Sequence, residues 1–387
     1  MNGKKIAVDS MVLLKNTEGT ADSPILRGFR SMIESEAVGR ARSAGYEVCN
    51  EYCHAGEFGL DIIGETGTEP TVYNGAYLPD GAVKVAKGEL TALLSLDVNG
   101  APRRSTAVAG LVNMKPTYGT VSRYGVVPVA ASADTVSITA MTAAECGKLL
   151  SAISGQDEKD PTTVALRPMK NNGANRTTLR VGICNDAVKT ADTAVKERYN
   201  DTASRLNAIG AKVASLSEDT QNIFTLAHAA WNTVLCAEAR GNLSRYDGIR
   251  YGNRATNYEN LNETYVNTRS EGFGELTKSV LLYGSYALSP DCEDGGFFKA
   301  DKVRKWVQEQ MNRLFEDTDV LLFPAGSVTV YTEEAVKTRG ITAFSENFYT
   351  ALPSLCGLPT VTANGVQLIG KPFSDSELLK IATQINA

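Results

Sequence analysis

The stretch Gly110-Leu-Val-Asn-Met-Lys-Pro-Thr-Tyr-Gly-Thr-Val-Ser-Arg-Tyr-Gly125 concentrates glycine, proline and tyrosine in a run that reads as turns and packing surface. Just upstream, Ala82 to Leu94 is an apolar, helix-like run leading into Ser95-Leu96-Asp97, and a further helix is expected after Pro102, whose fixed φ suits a first helical turn. Further back, the apolar strand Ile6-Ala7-Val8, the helix-like Ser35 to Ala44 and the strand Gly45 to Cys49 form a β-α-β opening. Between them, Glu57 to Gly81 is rich in Gly, Thr, Pro and Asn and reads as loop. Downstream, a second β-α-β unit is expected: the strand Thr178 to Cys184, a helix over Asp192 to Ile209 with Val195, Tyr199, Ala203 and Leu206 on one face, and the strand Ala211 to Leu216. Ala300 to Phe315 carries Val303, Val307, Met311 and Leu314 at helical spacing, Val320 to Pro324 is a buried strand, and Asp375 to Ile385 is a closing helix. The succession is α/β: one continuous mixed sheet covered by helices on both faces, with the polar stretch Asp157 to Arg176 as a flexible crossing.

The 387 residues, 43% hydrophobic and 21% charged, suffice for a large core. A net charge of -5 argues against a broad basic surface, so neither direct nucleic-acid binding nor an anionic membrane partner is expected. No window reaches the apolar length of a membrane span and Met1 runs into a strand without a signal-peptide core, which points to the cytoplasm. Seven scattered cysteines fit reduced thiols, mostly in the core. Only two histidines, His54 and His228, could serve a histidine-based reaction; His228, beside Leu226 and Trp231, reads as a packed or surface residue. Cys49, Cys53 and His54 have weak ligand spacing and no second cluster, and neither a Walker-type loop nor a dinucleotide fingerprint occurs, so no metal and no cofactor is expected.

The opening stretch resembles, nearly residue for residue, a segment of the amidase-signature family that in glutamyl-tRNA(Gln) amidotransferase A subunits usually reads G-V-V-G-L-K-P-T-Y-G-R-V-S-R-Y-G. Asn242-Leu-Ser-Arg-Tyr-Asp-Gly-Ile-Arg-Tyr-Gly252, Thr268-Arg-Ser-Glu-Gly-Phe-Gly274, Lys302-Val-Arg304 and Gly365-Val-Gln-Leu-Ile-Gly370 resemble it too, in the family's order. The resemblance implies a single amidase-signature domain over residues 1–387, without the helical portion that the A subunits carry before the first strand. Surface that this portion covers would then be open, and a second copy or a partner is expected over it.

The resemblance also implies a mechanism: a serine nucleophile attacks an amide, a second serine relays a proton and a lysine is the base. The lysine's pattern, I-A-I-K-D-N, is met by Ile6-Ala-Val-Asp-Ser-Met11, with Asp9 in the lysine's place and Lys15 falling on a later, non-catalytic lysine of the family. The relay loop G-G-S-S-G-G-S is met by Gly75-Ala-Tyr-Leu-Pro-Asp-Gly81, which holds Tyr77 and no serine. The nucleophile motif G-S-D-T-G-G-S-I-R is met by Ser95-Leu-Asp-Val-Asn-Gly-Ala-Pro-Arg103. There Asp97, Gly100 and Arg103 match, Val98 and Asn99 replace Thr-Gly in the loop whose N–H groups form the oxyanion hole, and Ala101 stands at the nucleophile. Loss of a serine nucleophile alone removes roughly a million-fold of rate. Ser10, Ser95, Ser105 and Thr106 are conceivable substitutes, none with a lysine or histidine at a matching position. For the glutamine pocket the resemblance sets Thr277-Lys-Ser-Val280 against the arginine-bearing K-R-R-I run and Glu346-Asn-Phe348 against the aspartate, so that Val280 and Asn347 mark a former pocket with neither charge in place, a one-residue slip making Glu346 an acidic substitute.

The expected function is therefore that of a non-catalytic paralogue, a pseudoenzyme acting as a scaffolding or binding subunit beside a B- or C-subunit-like protein or a second copy. Two rivals stand: an amidase with relocated catalytic residues, and a small-molecule sensor using the vacated pocket. Either Asp9 or Asp97 is expected to pair with Arg103 and close the former site.

Overall fold

The computed structural model describes residues 4–62, 71–165, 178–292, 295–332 and 339–386. The opening β-α-β unit is β1 (Lys5–Asp9), α1 (Glu36–Ser43) and β2 (Glu47–Cys53), its strands parallel. A hairpin of β3 (Thr71–Tyr73) and β4 (Ala76–Leu78) follows, turned by Asn74 and Gly75, both at positive φ. Next come α2 (Asp80–Ala86), β5 (Ala92–Asp97), α3 (Ala101–Ala109), β6 (Val112–Lys115), β7 (Thr135–Ala140) and α4 (Ala143–Ile153). The second β-α-β unit is β8 (Arg180–Ile183), α5 (Thr193–Ala208) and β9 (Lys212–Ser215). Four helices, α6 (Glu218–Leu243), α7 (Leu261–Gly272), α8 (Glu275–Ala287) and α9 (Gly296–Asp317), precede β10 (Val320–Pro324). The chain closes with α10 (Arg339–Glu346), α11 (Ala351–Cys356), β11 (Thr360–Ala363), β12 (Val366–Gly370) and α12 (Asp375–Ile385).

Ten strands form one sheet in the order β2-β1-β5-β7-β6-β11-β12-β10-β8-β9. The two β-α-β units supply parallel pairs at its ends, and the middle is antiparallel from β5 through β10. Every residue of β5, β6, β7, β10, β11 and β12 is buried, so the centre of the sheet is covered on both faces. Helix starts follow local chemistry: Thr142 and Glu145 form a reciprocal capping box on α4, and the Asp192 carboxylate accepts from Val195 N–H at 2.7 Å to cap α5.

Three expectations change. The apolar run from Ala82 is helical only to Ala86; Gly88, at φ +73°, turns the chain, and Ala92 to Leu94 pair with β1 instead. The segment read as loop between Glu57 and Gly81 contains the hairpin, because Asn74-Gly75 supplies the turn that two short strands need; residues 63–70 lie outside the described ones. The crossing from Asp157 is anchored as far as residue 165: Asp157 accepts from Ser122 Oγ at 2.6 Å and Asp160 from Arg123 N–H at 2.8 Å, while 166–177 lie outside the described residues. Four of the seven cysteines, Cys53, Cys146, Cys184 and Cys236, are buried.

Helices α6 and α8 cross so closely that a Cβ on Gly284 would lie 2.0 Å from the Cys236 carbonyl oxygen, whereas one on Gly241 meets nothing within 4 Å. Gly284→Ala is expected to lower the free energy of urea unfolding by about 1–3 kcal/mol, and Gly241→Ala to leave it unchanged or raise it by up to about 1 kcal/mol. Equal effects of the two would contradict this crossing.

Candidate active site

Strands β1 and β5 are parallel neighbours with Val8 opposite Leu94, so their carboxyl ends bring Asp9 beside the Ser95–Asp97 segment. Asp9 is 2% exposed. Its Oδ1 accepts from Met11 N–H at 3.0 Å and its Oδ2 from Leu96 N–H at 3.1 Å. Burial pushes this carboxyl up to about 8; the Met11 and Leu96 N–H groups and the Ser95 side chain offset that push only in part, and the charge of Asp22 adds a smaller upward push. At neutral pH it is predominantly protonated.

Beyond β5 the chain turns through Val98, Asn99 and Gly100 into α3. Gly100 is required there: its φ is +95°, and a Cβ would lie 2.4 Å from Thr350 Cβ. Val98 and Asn99 are buried, Asn99 Nδ2 donates to Leu60 O at 2.7 Å and Thr350 Oγ1 donates to Asn99 O at 2.7 Å, so the loop is clamped from both sides.

Arg103, on the first turn of α3, pairs with Asp97 through two parallel bonds, Nε to Oδ2 at 2.8 Å and Nη2 to Oδ1 at 3.0 Å. Its remaining donors reach Ser354 Oγ at 2.7 Å, Gln367 Oε1 at 3.1 Å and Thr350 O at 3.2 Å, so all five N–H groups are used inside the protein. The expected pairing therefore forms with Asp97. Asp9 takes no part in it, because two backbone N–H groups already hold its carboxyl.

Arg104 was not singled out by the sequence, and it is equally buried. It donates to Ile62 O, Asn99 O, Thr350 Oγ1 and Asn99 Oδ1, and burial lowers its pKa, with Tyr331 and Glu346 within electrostatic reach. Nothing but the doubled Arg103-Arg104 at a helix start marks it in the sequence.

Asp9 and Ala101 line one cavity of about 20 Å³, with Ser95, Ser105, Pro79 and His54 among its other walls. That is room for a single water molecule. Tyr77, by contrast, is not in this lining: it packs with Ile62, Tyr331 and Ala343, and its N–H donates to Tyr331 O. The hairpin turns Tyr77 away and presents Pro79 to the cavity. Of the conceivable substitute nucleophiles, Ser105 Oγ donates to Pro102 O at 3.1 Å, Thr106 bonds Thr139 at 3.2 Å, and Ser10 Oγ is buried without a hydrogen-bond partner. His54 leans instead on Asp22, Nδ1 to Oδ1 at 3.1 Å. Lys115, pushed down to about 8 by burial, donates to Leu358 O and does not line the cavity.

The two positions assigned to the glutamine pocket are both buried. Val280 joins the main core, and Asn347 Nδ2 donates to Asn232 Oδ1 at 2.9 Å. Glu346 does not offer a free carboxylate: Ser327 N–H donates to it at 3.0 Å, Tyr331 OH at 2.7 Å, and Ser327 Oγ bonds its other oxygen. His228 packs against Phe344 O and Asn232, as its helix context implied. Among the described residues, no group of three or more His, Cys, Asp or Glu could hold a metal ion, and no helix is long and apolar enough to cross a membrane.

The ten-stranded mixed sheet carries a buried Asp97–Arg103 pair at the start of α3, and the Amidase family model matches residues 81–379. The chain belongs to that family. It is 32% identical to the A subunit of glutamyl-tRNA(Gln) amidotransferase from Symbiobacterium thermophilum, over 98% of this chain and 81% of that protein. The crystal structure of the Thermotoga maritima glutamyl-tRNA(Gln) amidotransferase A subunit superposes with a TM-score of 0.78 at 26% identity, covering 98% of this chain and 82% of that one. Kluyveromyces lactis allophanate hydrolase shares the fold, with a TM-score of 0.84 at 22% identity over 99% of this chain and 61% of that one.

The raised Asp9 pKa makes stability depend on pH with a definite sign. Between about pH 4 and pH 8 the unfolded chain has released a proton that the folded chain keeps, so Asp9 costs stability progressively as pH rises. In urea unfolding at a series of pH values, Asp9→Asn should gain on the parent by up to about 1.4 kcal/mol per pH unit between pH 5 and 8. A difference independent of pH would mean that Asp9 is ionised in the fold.

Proposed function

We propose that this chain is a non-catalytic member of the amidase family that works as a binding or scaffolding subunit. The observation that carries this reading is the pairing of Asp9 and Ala101 in one water-sized cavity. By the family resemblance these are the positions of base and nucleophile, and here one is a neutral carboxyl and the other has no hydroxyl to activate. The Val98-Asn99 loop supports it, since it is buried and held in place through the Asn99 side chain and carbonyl, with a cavity of about 20 Å³ beside it. Tyr77, Val280 and Asn347 add no group able to relay a proton or grip an amino-acid carboxylate at the cavity.

Similarity to A subunits of an amidotransferase favours a place in a complex, beside a B- or C-subunit-like protein or a second copy of the chain, in the cytoplasm. The single-domain reading goes with it, since one sheet carries both β-α-β units.

Purified protein is expected to release no ammonia from glutamine, asparagine or simple aliphatic amides above the buffer rate. Ala101→Ser alone should stay equally inert, because the new hydroxyl lacks a base and a relay. Turnover that disappears on Ser10→Ala or Ser105→Ala would replace this reading with that of an enzyme whose nucleophile has moved.

A further inference from the structure

A groove of about 590 Å³ lies apart from the Asp9 cavity, between the end of the Gly110–Gly125 block and the Asn242–Gly252 block. Its walls are Leu13, Leu26, Val127, Pro128 and Tyr246. Over this apolar surface stand three arginines, Arg27, Arg245 and Arg250, with Tyr251 beside them.

The groove is built, not collapsed from mobile parts. Val127 N–H donates to Met11 O and Leu13 N–H to Gly125 O, each at 2.9 Å, which fixes one wall. Asn242 Nδ2 donates to Val129 O at 2.9 Å, Arg269 Nη1 donates to Leu243 O and Tyr246 O, and Asn253 N–H donates to Ile25 O, which fix the other. Tyr246 is further held by stacking on Phe58, with centroids 5.8 Å apart. These bonds account for why the block keeps its backbone shape. None of these bonds uses the side chain of Arg27 or Arg245.

Charge decides what the groove takes. Among the described residues Arg27 and Arg245 pair with no carboxylate, and Arg250 reaches Asp247 only at 3.8 Å. Three exposed arginines thus line one largely apolar trough in a chain whose net charge is -5. A concave apolar surface of this volume with a few convergent polar groups is the ordinary make-up of a small-molecule site, and arginine forks recognise carboxylates.

We propose that this groove binds a small amphipathic carboxylate, its apolar or aromatic body against Leu26, Pro128 and Tyr246 and its carboxylate on Arg245 with Arg27 or Arg250. The groove does not depend on the fate of the Asp9 cavity, and the two readings can fail separately.

The test is isothermal titration of the full chain with 4-phenylbutyrate and, as the matched cation, 4-phenylbutylamine. Saturable one-to-one binding of the carboxylate is expected, weakening as salt is added, with the amine at least about tenfold weaker. Arg245→Gln should weaken the carboxylate by about tenfold or more while leaving the ligand-free thermal midpoint unchanged, and Arg27→Gln provides the same reading should the first variant misfold. No saturable heat with the carboxylate at up to about 5 mM, equal binding of the amine, or binding indifferent to both arginine variants would each overturn the proposal.

Discussion

Arg103 and Asp97 meet with no solvent exposure on either side chain, and the rest of the site is arranged around that pair. A guanidinium taken out of water needs every donor satisfied, and here the five N–H groups are divided among Asp97, Thr350, Ser354 and Gln367. Gln367 in turn donates to Pro324 O and Tyr349 O, both at 2.8 Å. One ion pair therefore fixes the start of α3 against β12, the end of β10 and α11, segments more than two hundred residues away in the chain. Breaking such a pair from one side typically costs about 3–5 kcal/mol, so its geometry constrains everything that α3 presents.

What α3 presents is Ala101 at its first position, facing a carboxyl that burial keeps protonated. A helix N-terminus beside a neutral acid is a quiet electrostatic environment, without the lysine that would hold an ammonium charge there. Arg104 follows on the same helix and fastens the Asn99 backbone and side chain from the other direction. The two consecutive arginines thus act as paired struts, one holding α3 to the sheet and the other holding the preceding loop shut.

The parts of this arrangement differ in how plainly the sequence announces them. The β-α-β units at both ends were legible from apolar periodicity, since Val195, Tyr199 and Leu206 fall on one helical face and are buried. Arg103 was legible as the basic partner of a carboxylate, but whether Asp9 or Asp97 met it was not; the structure pairs it with Asp97, six residues away in the same motif. Thr350, Ser354 and Gln367 were not, since no periodicity links residues so far apart. That Tyr77 lies apart from the Asp9 cavity was not legible: the hairpin at Asn74-Gly75 redirects the segment, and a count of residues along a motif carries no information about a turn. Gly88 misled for a similar reason, a single left-handed residue dividing an apolar run into helix and strand.

Titration of the full chain with L-glutamine and L-glutamate, followed calorimetrically, addresses the closed site most directly. With Arg103 saturated by internal acceptors, Glu346 engaged by Ser327 and Tyr331, and room for one water beside Ala101, neither amino acid should give saturable heat at millimolar concentration. Saturable glutamine binding at micromolar concentration would contradict the closed site, and with it the assignment of the Asp97–Arg103 network to holding the cavity shut.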